Sequence, residues 1–269
     1  MIIAEIGWNF MGDMDLAEDM IRAASQSGAT DVKFQYWRED LLKPGPWDTD
    51  GRREIYKSAQ LDDSRIDHLN RLASNYNVGA FYSAFSQSGL KQLHKVGQRV
   101  IKIPSHEIYN LDLIKTGLEL FDKVILSTGA CSEKELIAVS ELCKKYKCHL
   151  VVMHCVSSYP CSEEVMNLPR INSLKALFPG AEMGLSDHTS SKIIPAISAA
   201  FGVSVVEKHF TTDHSLPGRD NQFALLPQEF SEMSINFKQS HEACIYRGMD
   251  AQESEEDIMK NYRGRWGSN

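Results

Sequence analysis

Short apolar runs, each stopped by polar residues, recur along the chain with room for one amphipathic helix between successive runs. Runs at 2–7, 31–36, 78–82, 99–103, 123–126 and 149–153, one ending at 186 and one at 205–209 read as buried strands, since parallel strands covered on both faces lose the usual alternation. Between them the apolar period changes to that of a helix. Leu16, Ala17, Met20, Ile21 and Ala24 form one stripe behind a capping signal at Asp15 and Glu18, and Gly28 stops it. Ser86 caps the helix carrying Leu90 and Leu93. Ser132 and Glu135 make a capping box ahead of Leu136 and Val139. A last long helix covers about 228–246. Eight strands strictly alternating with eight helices predict a (β/α)8 TIM barrel, an α/β fold that typically uses about 250 residues. The barrel is expected over 1–247, with 248–269 a short tail. Residues 37–60 read as an irregular loop with Pro44, Pro46 and Trp47, and loops of that length are usually functional; a lid is expected.

Charge narrows the function. A net charge of −7 and a pI near 5.7 argue against a general nucleic-acid surface. No apolar run approaches the ~18 residues of a membrane span, and no basic leader precedes Ile2. The six cysteines form no C-x-x-C pair and read as reduced thiols of a cytoplasmic protein.

The polar residues that end the strands carry the chemistry, because the carboxyl ends of barrel strands form the catalytic mouth. Glu5, Asn9, Lys33, Gln35, Ser83, Lys102, Ser105, Glu107, Ser127, Ser186, His188 and His209 all fall there. A lone histidine in such a run is more often a core residue bonded to a carbonyl. His188 and His209 are one strand-helix-strand step apart, on neighbouring strand ends, where two imidazoles can hold a divalent metal. Lys33, Lys102 and Lys208 interrupt apolar runs, and lysine is rarely buried without a partner. All three are expected to aim into the mouth as an anion site. Ser105 and Ser127-Thr128-Gly129 supply hydroxyl and backbone donors for phosphate oxygens.

At these residues the chain resembles the sialic acid synthase family. The resemblance is carried by Ala4-Glu5-Ile6-Gly7-Trp8-Asn9, Val32-Lys33-Phe34-Gln35, Lys102-Ile103-Pro104-Ser105-His106-Glu107, Ser127-Thr128-Gly129, His154-Cys155 through Tyr159-Pro160, Gly184 to Thr189, Glu207 to Thr211 and Pro217-Gly218-Arg219-Asp220, in order over nearly the whole barrel. It implies condensation of phosphoenolpyruvate with an open-chain N-acyl amino sugar to give a nonulosonic acid and phosphate, by C–O cleavage. It implies that Lys33, Lys102, Ser105, Ser127 and Ser186 hold phosphoenolpyruvate, and that His188 and His209 bind a divalent metal, manganese before magnesium or cobalt. Glu5, Tyr159 and Asp220 would contact the acceptor, Gln35 and Ser157 would join the substrate-binding set, and Glu5 or Glu107 would move protons. No nucleic acid or membrane partner is implied; a homodimer is.

The sequence also departs from the family pattern. Phe10 replaces a histidine, Ser157 stands where asparagine is common, and Ser83-Ala84-Phe85-Ser86 replaces a longer turn. Family members continue into an antifreeze-like domain that supplies an arginine to the acceptor. Here a separate protein bearing that domain, Trp47 of the loop or Arg263–Trp266 of the tail would take its place. The rival readings are a Schiff-base lyase on the same fold, working through a buried lysine, and a non-catalytic sugar-binding or regulatory barrel.

Overall fold

A computed structural model describes residues 1–267. Eight parallel strands close in sequence order into a barrel: β1 (Ile2–Gly7), β2 (Asp31–Tyr36), β3 (Gly79–Ala84), β4 (Val100–Ile103), β5 (Lys123–Ser127), β6 (His149–Cys155), β7 (Glu182–Asp187) and β8 (Val205–His209), with β8 pairing back onto β1. The (β/α)8 expectation holds. Helices α1 (Met14–Gln26), α3 (Asp63–Asn75), α4 (Gln87–Lys95), α5 (Leu111–Leu120), α6 (Glu133–Cys143), α7 (Arg170–Leu177), α8 (Ile194–Ala199) and α9 (Pro227–Ala243) form the outer ring. Ser86 and Ser132 cap α4 and α6 as read from sequence, whereas α1 is capped by Asp13, which accepts from the amides of Asp15 and Leu16. No helix among the described residues is long and apolar enough to cross a membrane.

Two departures bear on function. The 37–60 segment is not irregular: α2 (Arg52–Ser58) and two 3₁₀ turns lie within it. Its period was hidden because α2 buries no residue. The tail carries a further short helix, α10 (Glu256–Asn261), and its described residues, 248–267, are all exposed. Arg265 stacks on Tyr262 and Trp266 of the tail itself. The tail leaves from the floor of the barrel, where α9 meets Gly28 through Ser234 and Lys238, so the expected fold of Arg263–Trp266 over the mouth is not observed.

Strand parity sorts the core. Ile3, Phe81, Ile125, Val151, Met153 and Val205 point inward and fill the barrel. Their outward neighbours join the helices in a much larger shell. Phe10 belongs to that shell, fully buried and edge-on to Phe34 at 5.7 Å. One residue pair further along each strand, the inward positions change from apolar to polar, and that change of layer builds the mouth.

Candidate active site

The mouth encloses a cavity of about 320 Å³. A larger hollow beside Tyr36, Arg38 and Asp62 holds none of the strand-end residues. Glu5 from β1, Lys33 and Gln35 from β2, Ser83 from β3, Lys102 from β4, Ser127 from β5, Cys155 from β6, Ser186 and His188 from β7, and Glu207 and His209 from β8 line it together. Those of β1, β3, β4, β5, β6 and β8 stand an even number of residues beyond an inward apolar residue, and those of β2 and β7 are set beside them by the register, so period-two geometry brings them to one place.

Four charges form a buried chain across the barrel. Lys33 Nζ lies 2.7 Å from Glu5 Oε2 and 3.8 Å from Glu207 Oε2, and Lys102 Nζ sits directly on Glu207 Oε1. Gln35 donates to Glu5 Oε1 at 2.7 Å, and Ser186 to Glu207 Oε1 at 3.0 Å. Gly7, at φ +57°, passes so close to this bond that a Cβ there would lie 3.0 Å from Glu5 Oε1. The environments push the two carboxyls apart. Burial raises Glu5, against the pull of Lys33. Burial acts on Glu207 too, but Lys102 and Lys33 together overcome it and hold the group down at about 2. Burial lowers Lys102 despite Glu207, while Lys33, between two carboxylates, is raised. Glu207 is therefore the fixed anion of the chain and Glu5 the one that readily carries a proton.

The serines line the opposite wall. Ser105 accepts from the Gly129 amide at 3.1 Å, and Ser127 Oγ is buried with no partner. A Cβ on Gly129 would stand 2.4 Å from Ser157 Oγ and 2.9 Å from Ser105 Oγ, which accounts for the glycine of Ser127-Thr128-Gly129. Arg170 braces this turn, donating to Thr128 O at 2.8 Å and Thr128 Oγ1 at 3.2 Å.

The histidine rings converge as their spacing predicts, with centroids 5.4 Å apart. His188 commits Nδ1 to the Val156 carbonyl at 2.9 Å, leaving Nε2 free. His209 Nδ1 is buried without a hydrogen bond, 3.6 Å from Asp220 Oδ2. Burial and the neighbouring His188 hold His209 well below the usual imidazole range, so it stays neutral, as a ligand must be. Burial would lower His188 as well, but Cys155 and the Val156 carbonyl outweigh it and raise it. In return His188, against burial, draws the Cys155 thiol down to about 7. Tyr159 packs over His188 at 4.2 Å, and Trp8 Nε1 donates to Asp220 Oδ2 at 2.6 Å. An orphaned buried nitrogen beside a second free imidazole suits a divalent ion. No set of three or more His, Cys, Asp or Glu ligands forms among the described residues; an ion held here would take two nitrogens from the protein and its other positions from substrate and water.

Four expectations fail on geometry. Lys208 does not enter the mouth. It alternates with Glu207 and His209, points behind the sheet and pairs with Asp187 at 2.9 Å. Glu107 lies in a 3₁₀ turn after β4, outside the cavity lining, and takes a hydrogen bond from Asn110 at 3.2 Å. Asn9 spends its amide on the Phe210 carbonyl. Ser157 stands beside Cys155 at 3.8 Å, at the rim and outside the lining. Sequence reasoning passed over Glu207 as a site residue, though its parity with His209 would have found it. It also passed over Trp8, Arg52, Tyr56, His106 and Arg219, whose entry depends on loop packing: Tyr56 stacks on Trp8 at 4.9 Å and Phe85 on His106 at 5.4 Å.

Residues 20–247 match the NeuB family. The chain is 32% identical over 272 residues to the pseudaminic acid synthase of Campylobacter jejuni, covering 97% of this chain and 78% of that one. It is 32% identical over 248 residues to the N,N'-diacetyllegionaminic acid synthase of Legionella pneumophila, covering 86% and 69%. The crystal structure of an N-acetylneuraminic acid (sialic acid) synthetase from Leptospira borgpetersenii, in complex with citrate, superposes with a TM-score of 0.87 at 29% identity, covering 98% of this chain and 91% of that one.

Proposed function

Because the chain belongs to the NeuB family, we propose that it condenses phosphoenolpyruvate with an open-chain N-acyl amino sugar, forming a sialic-acid-like nonulosonic acid and releasing phosphate. It is a transferase that makes a C–C bond. The observation that carries this reading is the convergence, in one cavity, of the Glu5–Lys33–Glu207–Lys102 chain, the serine wall and the two histidines. The catalytic unit is taken as 1–247, with 248–269 an appended tail.

Lys102 and Lys33 receive the phosphate and carboxylate of phosphoenolpyruvate, with Ser105, Ser127 and Ser186 donating to their oxygens. Glu207, the fixed anion, pairs with both lysines and holds them at the floor of the cavity. The acceptor aldehyde lies toward Tyr159, Asp220 and the histidines. As C3 of the enol bonds to the aldehyde carbon, the aldehyde oxygen takes a proton, and Glu5, whose hold on a proton is strengthened by burial, is placed to give it. Glu5, as a carboxylate beside Lys33, then takes a proton from the water that adds at C2. Phosphate departs with the bridging oxygen and takes up the proton of the C2 hydroxyl, leaving the keto acid. A divalent ion on His188 and His209, manganese by preference, would supply Lewis-acid polarisation of the aldehyde oxygen.

Phosphate release from phosphoenolpyruvate across a panel of N-acyl hexosamines tests the reading. Phosphoenolpyruvate labelled with ¹⁸O at the bridging position should release labelled phosphate. Absence of release with every acceptor, or unlabelled phosphate, rejects it. Borohydride should trap no keto acid on Lys33 or Lys102, against the Schiff-base alternative.

A further inference from the structure

Strands β7 and β8 each deliver a histidine, and the residues alternating with them face the other way. Asp187 lies between Ser186 and His188, Lys208 between Glu207 and His209, and the register sets Asp187 opposite Lys208. Neither lines the cavity. Behind the sheet, Lys208 Nζ donates to Asp187 Oδ2 at 2.9 Å, to the Thr189 carbonyl, and to Thr189 Oγ1 at 3.4 Å. Asp187 accepts from the Thr189 amide at 2.8 Å and from Thr189 Oγ1 at 3.1 Å. Asp187, Thr189 and Lys208 are each at most 2% exposed. The backbone pinned in this way is the segment that holds His188, tied across to the strand that holds His209.

Stability gives little reason to keep such a pair. Two ions taken out of water lose solvation that their attraction barely restores, and replacing both by apolar residues of similar size is often neutral. Apolar packing has no direction, however, and would leave the segment beyond the last ladder pair, which carries His188, without a fixed tie to β8. On the cavity side Ser186 of β7 donates to Glu207 of β8 at 3.0 Å, but neither ring bonds to the other's strand: His188 bonds to Val156 and His209 has no hydrogen bond on Nδ1.

We propose that Asp187 and Lys208 are positioning residues which, through Thr189, fix the ends of β7 and β8 so that the His188 and His209 rings converge on one divalent cation. The inference rests on the reading of those histidines as ion ligands. Its test replaces both members, Asp187→Leu with Lys208→Met, so that no charge is stranded. Manganese(II) binding by calorimetry, melting temperature and the ring separation in a crystal structure are compared with the unaltered full chain. The expected result is a melting temperature near that of the parent, rings moved from their 5.4 Å separation, and manganese affinity lowered about 10- to 100-fold, the range for residues that orient metal ligands. Unchanged affinity and unchanged rings overturn the proposal, whatever the melting temperature does. If the double variant does not fold, Asp187→Asn carries the same comparison, since the amide keeps an acceptor for Thr189. If the parent binds no manganese, or His188→Ala binds it equally well, the ligand reading falls separately. The ring separation in the double variant then decides the positioning role alone.

Discussion

Two buried ion-pair systems meet one residue apart on β8, at Glu207 and Lys208, and differ in what they leave unfinished. Behind the sheet, the Asp187 oxygens, Lys208 Nζ and Thr189 Oγ1 are all engaged with one another. In the mouth, Glu5 Oε2 and Glu207 Oε2 face Lys33 but accept no well-directed hydrogen bond, and Ser127 Oγ and His209 Nδ1 have no hydrogen-bond partner. Folding alone does not favour buried polar atoms left in that state, since each unmade bond costs about 1–3 kcal/mol. The closed system organises strands; the open one is completed by a ligand. Parity along β8 decides which is which, placing Glu207 and His209 in the second and Lys208 in the first.

The comparison breaks most visibly at the histidines. His188→Ala should lower kcat by about 10²–10³-fold, the usual loss when one group stabilising developing charge is removed, while urea melts stay near the parent. Lys102→Met should reduce kcat/KM for phosphoenolpyruvate at least tenfold, about 1.4 kcal/mol or more of transition-state binding, with a smaller loss of stability than Lys208→Met because Glu207 retains Lys33. Lys208→Met should do the reverse. Stranding Asp187 in the interior costs about 3–5 kcal/mol of stability, measurable by urea denaturation, with a smaller kinetic loss per folded molecule. A Lys102→Met variant with parent kinetics and a collapsed melting temperature would erase the distinction.

The two mouth carboxyls sharpen it through pH. Glu207 is held at about 2 against an ordinary 4.5. Its contribution, about 3 kcal/mol, is present above pH 4.5 and lost as pH falls toward 2. Glu5 is raised, so the folded state holds its proton more tightly, and stability from this group falls as pH rises through its folded value. Glu5→Gln should therefore stabilise the fold at pH 7–8 with the gain vanishing near pH 4. Glu207→Gln should destabilise it at pH 7 by an amount that shrinks toward pH 2. Thermal melts over pH 3–8 with the same sign for both variants would refute the assignment.

Much of this was legible because two periods, one of 3.6 and one of 2, carry both the fold and the site. The apolar runs yielded all eight strands within a few residues, and strand ends yielded ten residues of the mouth, from Glu5 and Lys33 to His188 and His209. Lys208 was misread because an apolar run interrupted by lysine says nothing about facing, whereas its odd spacing from His209 does. Glu107 was misread because a strand end was carried past Pro104 into a 3₁₀ turn, where period two no longer holds. Trp8, Tyr56 and Arg52 were out of reach for a different reason. They meet through loop packing, and no local pattern encodes which loop residue lies across a mouth.

That loop supports the smallest prediction. Helix α2 places Arg52 and Tyr56 in the cavity wall, and Trp47, instead of covering the mouth itself, lies under the Arg52 guanidinium at 5.9 Å. Arg52 also pairs with Asp50 at 2.6 Å and is partly exposed. A rim charge of this kind is worth about 0.2–1 kcal/mol, so Arg52→Ala should raise the acceptor KM roughly 1.5- to 5-fold and leave the phosphoenolpyruvate KM unchanged. Trp47→Ala should show a weaker form of the same split by loosening Arg52. Removing the tail from Tyr262 onward should alter neither constant, since that segment departs from the floor of the barrel. Steady-state kinetics with both substrates varied separate these outcomes. A tail deletion that raises the acceptor KM more than Arg52→Ala does would place the outer acceptor contact on the tail and not on α2.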